Sequence, residues 1–224
     1  MNAFVYGLLW LLFNSVGRLC FRYRVIGREH IPEEGGVLVA ANHASFLDIP
    51  FLGCGIARRV AFLGRQDLFP VPGLRWACQK LGWIPIRPDR LDRIGFGKAT
   101  SLIKEGKVVV IYPEGSRTPD GALRPGKPGI GVIVEDTRCP VVPAYITGTY
   151  EAMPPGSFRI RFHPVQVTFG KPLDFSLDQK RYSGKEFYRH VSRTVMGRIA
   201  ELGQVAPPAD HSVQRPAARP YNAE

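Results

Sequence analysis

The chain has 224 residues, of which 45% are hydrophobic and 22% charged. That balance suits one globular domain with a sizeable core and excludes a disordered or fibrous protein. A net charge of +11 calls for an anionic partner, whether nucleic acid, anionic lipid head groups or a phosphorylated substrate.

The N-terminus is apolar from Ala3 to Phe13, about half of the ~20 residues that a spanning helix needs. No Lys or Arg precedes it, so it reads poorly as a secretory signal. Arg18, Arg22, Arg24 and Arg28 follow it. An apolar helix with Tyr6 and Trp10, succeeded by basic residues, is expected to lie in a membrane interface on the cytoplasmic, anionic face. A helix packed on the core is the plainer alternative. The expected division is a membrane-anchoring helix over 1–20, a catalytic domain over 21–203 and a disordered tail over 204–224, where Pro, Ala and polar residues dominate.

Residues 21–25 alternate apolar and basic, as a half-exposed strand does. Residues 37–41 (VLVAA) predict a buried strand, and the Asn42–Asp48 stretch predicts a turn into a short helix ending near Gly53. A strand is expected over 59–63, a proline-bounded loop over 67–73 and a helix over 74–81. Residues 82–87 read as a strand that Pro85 confines to a sheet edge. An amphipathic helix over 89–104 stops at Gly106, and residues 108–111 (VVVI) are expected at a sheet centre. A Gly- and Pro-rich loop over 119–129 precedes a helix over 130–135 and a buried strand over 141–146. The alternation in 159–169 predicts a hairpin with Arg159 and Arg161 on one face, and residues 180–202 a last helix. The four cysteines, Cys20, Cys54, Cys78 and Cys139, lie far apart, which disfavours a zinc site or disulfide framework. The order predicts a single α/β domain with a largely parallel central sheet flanked by helices.

Three of these strands end in polar groups: Asn42 and His43, Arg87, and Glu114 with Arg117. Parallel strands present their carboxyl ends on one edge, where ligands bind. His43 and Asp48 are five apart, so on one unbroken helix they would point roughly 140° away from each other. They meet only if His43 sits in the turn and Asp48 opens the helix. A histidine backed by a carboxylate suits proton abstraction from a hydroxyl. Arginines suit a phosphate, because the guanidinium forks onto its oxygens. Glu114 is placed to accept from a substrate hydroxyl or to hold Arg117, and Gly115 lets backbone approach closely. Each residue taken alone also fits a duller role: a capped turn with a surface histidine, or solvated charges at strand ends.

Asn42-His43-x-Ser45-x-x-Asp48, Gly82 through Arg87, Pro113-Glu114-Gly115-Ser116-Arg117 and Val142-Pro143-Ala144 resemble, in order and spacing, the four motif blocks of the glycerolipid acyltransferases. The members most alike are 1-acyl-glycerol-3-phosphate acyltransferases, which make phosphatidic acid. The resemblance runs from about Phe21 to Gly170, and its first and third blocks together are the specific ones. Tyr112 and Ser116 stand where Phe and Thr are usual, and Gly126 stands where a bulky aromatic is common.

The resemblance implies direct transfer without an acyl-enzyme, with His43 as general base and Asp48 orienting it. Arg87, Glu114 and Arg117 would hold the glycerol phosphate, with Lys127 assisting, and Asn42, Ser45, Gly115 and Ser116 join the substrate-binding set. The acyl donor would be acyl-CoA or acyl carrier protein, and the acceptor the sn-2 hydroxyl of lysophosphatidic acid. No metal or cofactor is implied. The same chemistry on lyso-ornithine lipid or another lysophospholipid is the alternative. A catalytically silent basic protein that binds lipid or nucleic acid is more distant, because the basic residues are scattered and no reader motif appears. The expected partners are therefore membrane lipids and not nucleic acid, and the expected site of action is the cytoplasmic face of the cell membrane, reached through the N-terminal helix.

Overall fold

The structure, a computed structural model, describes residues 3–66, 79, 82–87 and 92–209. The first strand is β1 (Arg24–Ile26), and β2 (Val37–Ala41) follows without a single exposed residue. Next come β3 (Val60–Arg65), β4 (Trp83–Ile86), β5 (Val108–Ile111), β6 (Val141–Thr147) and β7 (Gln166–Phe169). They form one seven-stranded sheet in the order β1-β7-β6-β2-β5-β3-β4. Every neighbouring pair is parallel except β6 with β7. The sheet is largely parallel, as its buried Val and Ile runs predict.

Helices cover both faces. On one lie α1 (Ala3–Phe21) and α2 (Asp48–Gly55), packed over Val37, Val39, Val108 and Val110. On the other lie α3 (Arg93–Lys104), α4 (Gly129–Thr137) and the C-terminal α6 (Gly184–Gly203), over Leu38, Ala40, Val109 and Ile111. Successive strand residues thus feed opposite cores, the period-two rule read directly from the chain. A short helix, α5 (Thr149–Ala152), follows β6.

Several expectations meet the structure closely. The strand at 37–41 has its predicted bounds, and the strand carrying Pro85 is an edge strand. Residues 108–111 lie inside the sheet, although β2 holds the middle place. Asp92 caps α3, its carboxylate accepting from Ile94 N and Gly95 N, both at 3.1 Å. The helix therefore begins at Arg93, four residues later than the pattern suggests. The loop predicted over 67–73 lies outside the described residues, as do Cys78, most of the helix predicted over 74–81 and residues 210–224 of the tail. Cys20, Cys54 and Cys139 are free thiols.

The hairpin predicted over 159–169 does not form. Only Gln166–Phe169 is strand, and it pairs with β1 and β6 instead of folding back on residues 159–164. Pro164 has no N–H to give a ladder at the middle of the stretch. The last helix starts at Gly184, not 180, because a 3-10 turn (Asp178–Lys180) precedes it.

Candidate active site

The carboxyl ends of β2, β5 and β6 converge on one acidic side chain. Asp48, the first residue of α2, is wholly buried, and its Oδ2 takes hydrogen bonds from His43 Nδ1 at 2.8 Å, Ala44 N at 2.7 Å and Ser45 N at 2.8 Å. Its other oxygen, Oδ1, accepts from the Thr149 hydroxyl at 2.5 Å. An acceptor-only carboxylate matches this set of donors. Nδ1 of His43 therefore carries the proton in that bond, and Nε2, across the ring, is the acceptor left for the cavity that His43 lines.

The backbone of His43 is fixed at both ends. Its N–H donates to Glu114 Oε1 at 2.8 Å, and its carbonyl accepts from Thr118 N at 2.8 Å. Its ring stacks on Tyr112, with centroids 4.1 Å apart and planes 16° from parallel. The Tyr112 hydroxyl is buried without a hydrogen-bond partner, and burial pushes its ionisation well above the ordinary value.

Glu114 is buried behind the histidine. Its second oxygen accepts from Arg124 N at 3.1 Å, so the carboxylate ties the turn after β2 to the loop after β5. Burial pushes its carboxyl up to about 7, against the pull of the two N–H donors. Neither oxygen bonds Arg117. Instead the Arg117 guanidinium lies 3.6 Å from the centroid of the Phe46 ring. Burial draws Arg117 below its ordinary value, with the Asp48 charge pulling the other way.

His43 opens onto a cavity of about 680 Å³. Its polar rim holds four cations, Arg65, Arg87, Arg117 and Lys127, together with Ser116, and no carboxylate among the described residues. The remaining wall is apolar, built from Phe46, Ile49, Phe62, Trp83, Phe96 and Ile130 among others. Arg87 is set there by Asp92, whose Oδ2 accepts the Arg87 N–H at 2.9 Å. A strong positive rim beside an apolar wall fits an anionic amphiphile.

Gly115 has φ +74, and a Cβ there would come within 2.9 Å of the Lys127 side chain. Glycine thus lets Lys127 cross directly over the turn. Gly126, by contrast, has no room for the bulkier side chain common at that place. A Cβ would meet Met196 Cγ at 2.7 Å and Ser192 Oγ at 2.8 Å, because α6 fills the space.

Asn42 and Ser45 have their polar atoms engaged within the protein. Asn42 bonds both the N–H and the carbonyl of Ile146, at 2.7 and 3.0 Å, and so locks β2 to β6. Ser45 donates to Met153 O at 2.7 Å and accepts from Leu47 N at 3.1 Å. Of the residues that sequence reasoning singled out, His43, Arg87, Gly115, Ser116, Arg117 and Lys127 line the cavity, whereas Asn42, Ser45, Asp48 and Glu114 stand behind it.

Sequence reasoning missed Thr149 and Arg65. Thr149 is positioned by Gly148, whose φ of +83 turns the chain sharply after β6 and whose Cβ position is occupied by Pro164 O. A Gly-Thr directly after a buried strand is the only local signal. Arg65 is the last residue of β3, a strand-end cation like Arg87.

A family model described as Acyltransferase matches residues 22–147. A chloroplastic 1-acyl-sn-glycerol-3-phosphate acyltransferase of Brassica napus is 34% identical over 157 residues, which cover 68% of this chain and 45% of that protein. A 1-acyl-sn-glycerol-3-phosphate acyltransferase of Bacillus subtilis is 25% identical over 180 residues, covering 80% of this chain and 87% of the other. The crystal structure of the 1-acyl-sn-glycerophosphate acyltransferase PlsC from Thermotoga maritima superposes with a TM-score of 0.71 at 28% identity, over 89% of this chain and 80% of that one. The chain thus spans less than half the length of the plant relative and most of the length of the bacterial ones.

Proposed function

The chain belongs to the acyltransferase family, and from that membership we propose that it moves a fatty acyl group from a thioester to the sn-2 hydroxyl of lysophosphatidic acid, giving phosphatidic acid. The observation that carries the reading is the buried Asp48, 2.8 Å from His43 Nδ1, at the head of a cavity whose rim is cationic and whose wall is apolar. The names of the relatives in Brassica napus, Bacillus subtilis and Thermotoga maritima support the same acceptor.

The reaction balances with the chain's own groups. Nε2 of His43 takes the proton as the acceptor oxygen attacks the thioester carbonyl, and Asp48 stabilises the imidazolium that forms. The tetrahedral intermediate collapses, the C–S bond breaks, and the imidazolium returns its proton to the departing thiolate. No acyl-enzyme forms and no metal or cofactor is required. Arg117, Arg87 and Lys127 hold the phosphate of the acceptor, and the apolar wall takes its acyl chain. Acyl-CoA and acyl carrier protein both satisfy this scheme as donors.

The same proposal puts the enzyme at a membrane surface, held by α1 on the cytoplasmic side. No described helix is long and apolar enough to cross a bilayer. The outer side of α1 nevertheless exposes Leu8, Leu11, Leu12, Phe13, Val16 and Leu19.

The test is acyl transfer from labelled acyl-CoA and from acyl carrier protein to lysophosphatidic acid, comparing the parent with His43→Ala. Loss of a positioned general base should lower kcat by roughly 10²–10⁴-fold with an unchanged melting curve. A variant that turns over near the parent rate would end the assignment. No product from the parent, with product from another lysolipid, would end the choice of acceptor.

A further inference from the structure

We propose that residues 158–162, together with α1, form a second lipid-contact element that docks the mouth of the cavity on an anionic bilayer. This rests on the reading of the protein as a membrane-surface enzyme but concerns a segment which that reading does not use. The sequence there is Phe158-Arg159-Ile160-Arg161-Phe162. In a sheet, such alternation would bury one side. Here the stretch belongs to no strand and every residue is exposed, with Phe158 at 92%, Ile160 at 51% and Phe162 at 74%.

The segment is nonetheless anchored. Arg161 N donates to Ala152 O at 2.8 Å, and just beyond the segment Val165 N donates to Phe21 O at 2.9 Å, so its C-terminal side is tied to α5 and to the last residue of α1. The Phe162 ring meets Phe21 edge-on at 5.5 Å, which makes the segment continuous with α1. Among the described residues, nine of the thirteen large hydrophobic side chains left exposed belong to α1 or to this segment. That concentration is a patch and not the usual scatter of surface apolar groups.

The occupant is argued from charge. Arg18, Arg22, Arg24, Arg159 and Arg161 are all exposed and interleave the apolar residues. A protein partner with an apolar face would leave these five cations to be desolvated. A bilayer carrying anionic head groups accepts both kinds of side chain at once, the apolar ones below the head groups and the arginines among them. The chain also leads from the patch to the reaction centre without interruption. Thr149 holds Asp48, the Met153 carbonyl holds Ser45, Pro155 lines the cavity, and Phe158 begins the patch.

The experiment is sedimentation of the full chain with vesicles of phosphatidylcholine alone or with 30 mol% phosphatidylglycerol, a composition on the order of that in which basic segments bind. The parent should bind the anionic vesicles at least tenfold more tightly, and salt should weaken the binding. Phe158→Ser/Ile160→Ser/Phe162→Ser should lose at least tenfold in partition, and Arg159→Glu/Arg161→Glu should lose the preference for anionic vesicles. Both variants should keep the parent's melting curve and its rate on a short-chain, monomeric lysophosphatidic acid. Parent-like vesicle binding by either variant would overturn the proposal, as would a parent that buries the patch in a stable dimer in solution. Failure of the monomeric acceptor assay in the parent would instead strike at the acyl-transfer reading, leaving vesicle binding to be judged separately.

Discussion

The inner and outer halves of the site are built on opposite terms. Both oxygens of Asp48 have partners, two chain segments far apart in sequence supply the four donors, and the carboxylate is fully buried. At the rim, Arg87 and Lys127 stand exposed, and Arg117 is held by little beyond the face of Phe46. Proton transfer tolerates very little misplacement, so a base of the kind proposed for His43 must be held from several directions. Charge recognition acts over several ångströms, so cations on flexible stems suffice for it. Under the proposed function, the contrast separates a part that sets rate from a part that sets choice of substrate.

That separation is open to attack from either side. The largest expected effect lies behind the histidine. With its carboxyl pushed up to about 7 by burial, Glu114 is protonated in the folded protein at pH values where it is ionised in the unfolded chain. The folded state then binds more protons between about pH 4.5 and 7, so this group's contribution to stability falls as pH rises through that window. Chemical denaturation at pH 5 and pH 8 should show a decline in the parent that exceeds that of Glu114→Gln by about 3 kcal/mol. Equal slopes would mean that the carboxyl titrates normally.

Next comes Thr149→Val, which removes one of the donors to Asp48 while keeping the side chain's shape. It should lower kcat by roughly 10–100-fold with KM nearly unchanged, since the loss of one buried charge-assisted hydrogen bond is worth about 1.5–3 kcal/mol. A change in KM alone would place Thr149 on the substrate side. Arg117→Ala should do the reverse, raising KM for a phosphorylated acceptor by about tenfold while kcat stays within a few-fold of the parent. Equal affinity for phosphorylated and unphosphorylated acceptors in the parent would remove the phosphate role of Arg117. The smallest effect is a gain. Tyr112→Phe deletes a buried hydroxyl that has no partner and should stabilise the fold by about 1 kcal/mol, read as a higher melting temperature, with kcat little altered.

Much of this was legible beforehand, and the exceptions have a common cause. Val37–Ala41 could be bounded because an unbroken apolar run flanked by Gly-Gly and Asn-His admits few alternatives. Pro85 announced an edge, and His43 with Asp48 announced a turn, because both signals are local. Thr149 lies 101 positions from Asp48 and carries no local mark of that bond. Asn42 looked like part of a binding motif, but its amide spans two strands 104 positions apart in sequence. The false hairpin over 159–169 shows the converse: the alternating pattern was real, but the medium facing its two sides is not encoded in periodicity. Local chemistry can be read from local sequence, whereas partners brought in by sheet order cannot.

The bond from Thr149 to Asp48 also bears on how the protein comes into being. A chain emerging from a ribosome displays His43 and Asp48 early, yet the hydroxyl that fixes the carboxylate, and the β6 backbone that locks Asn42, are synthesised some hundred residues later. The proposed base therefore remains unassembled until the sixth strand has docked beside the second. Under the proposed acyl-transfer reading, a nascent chain is inert through most of its synthesis, and its chemistry switches on only once the fold is nearly closed.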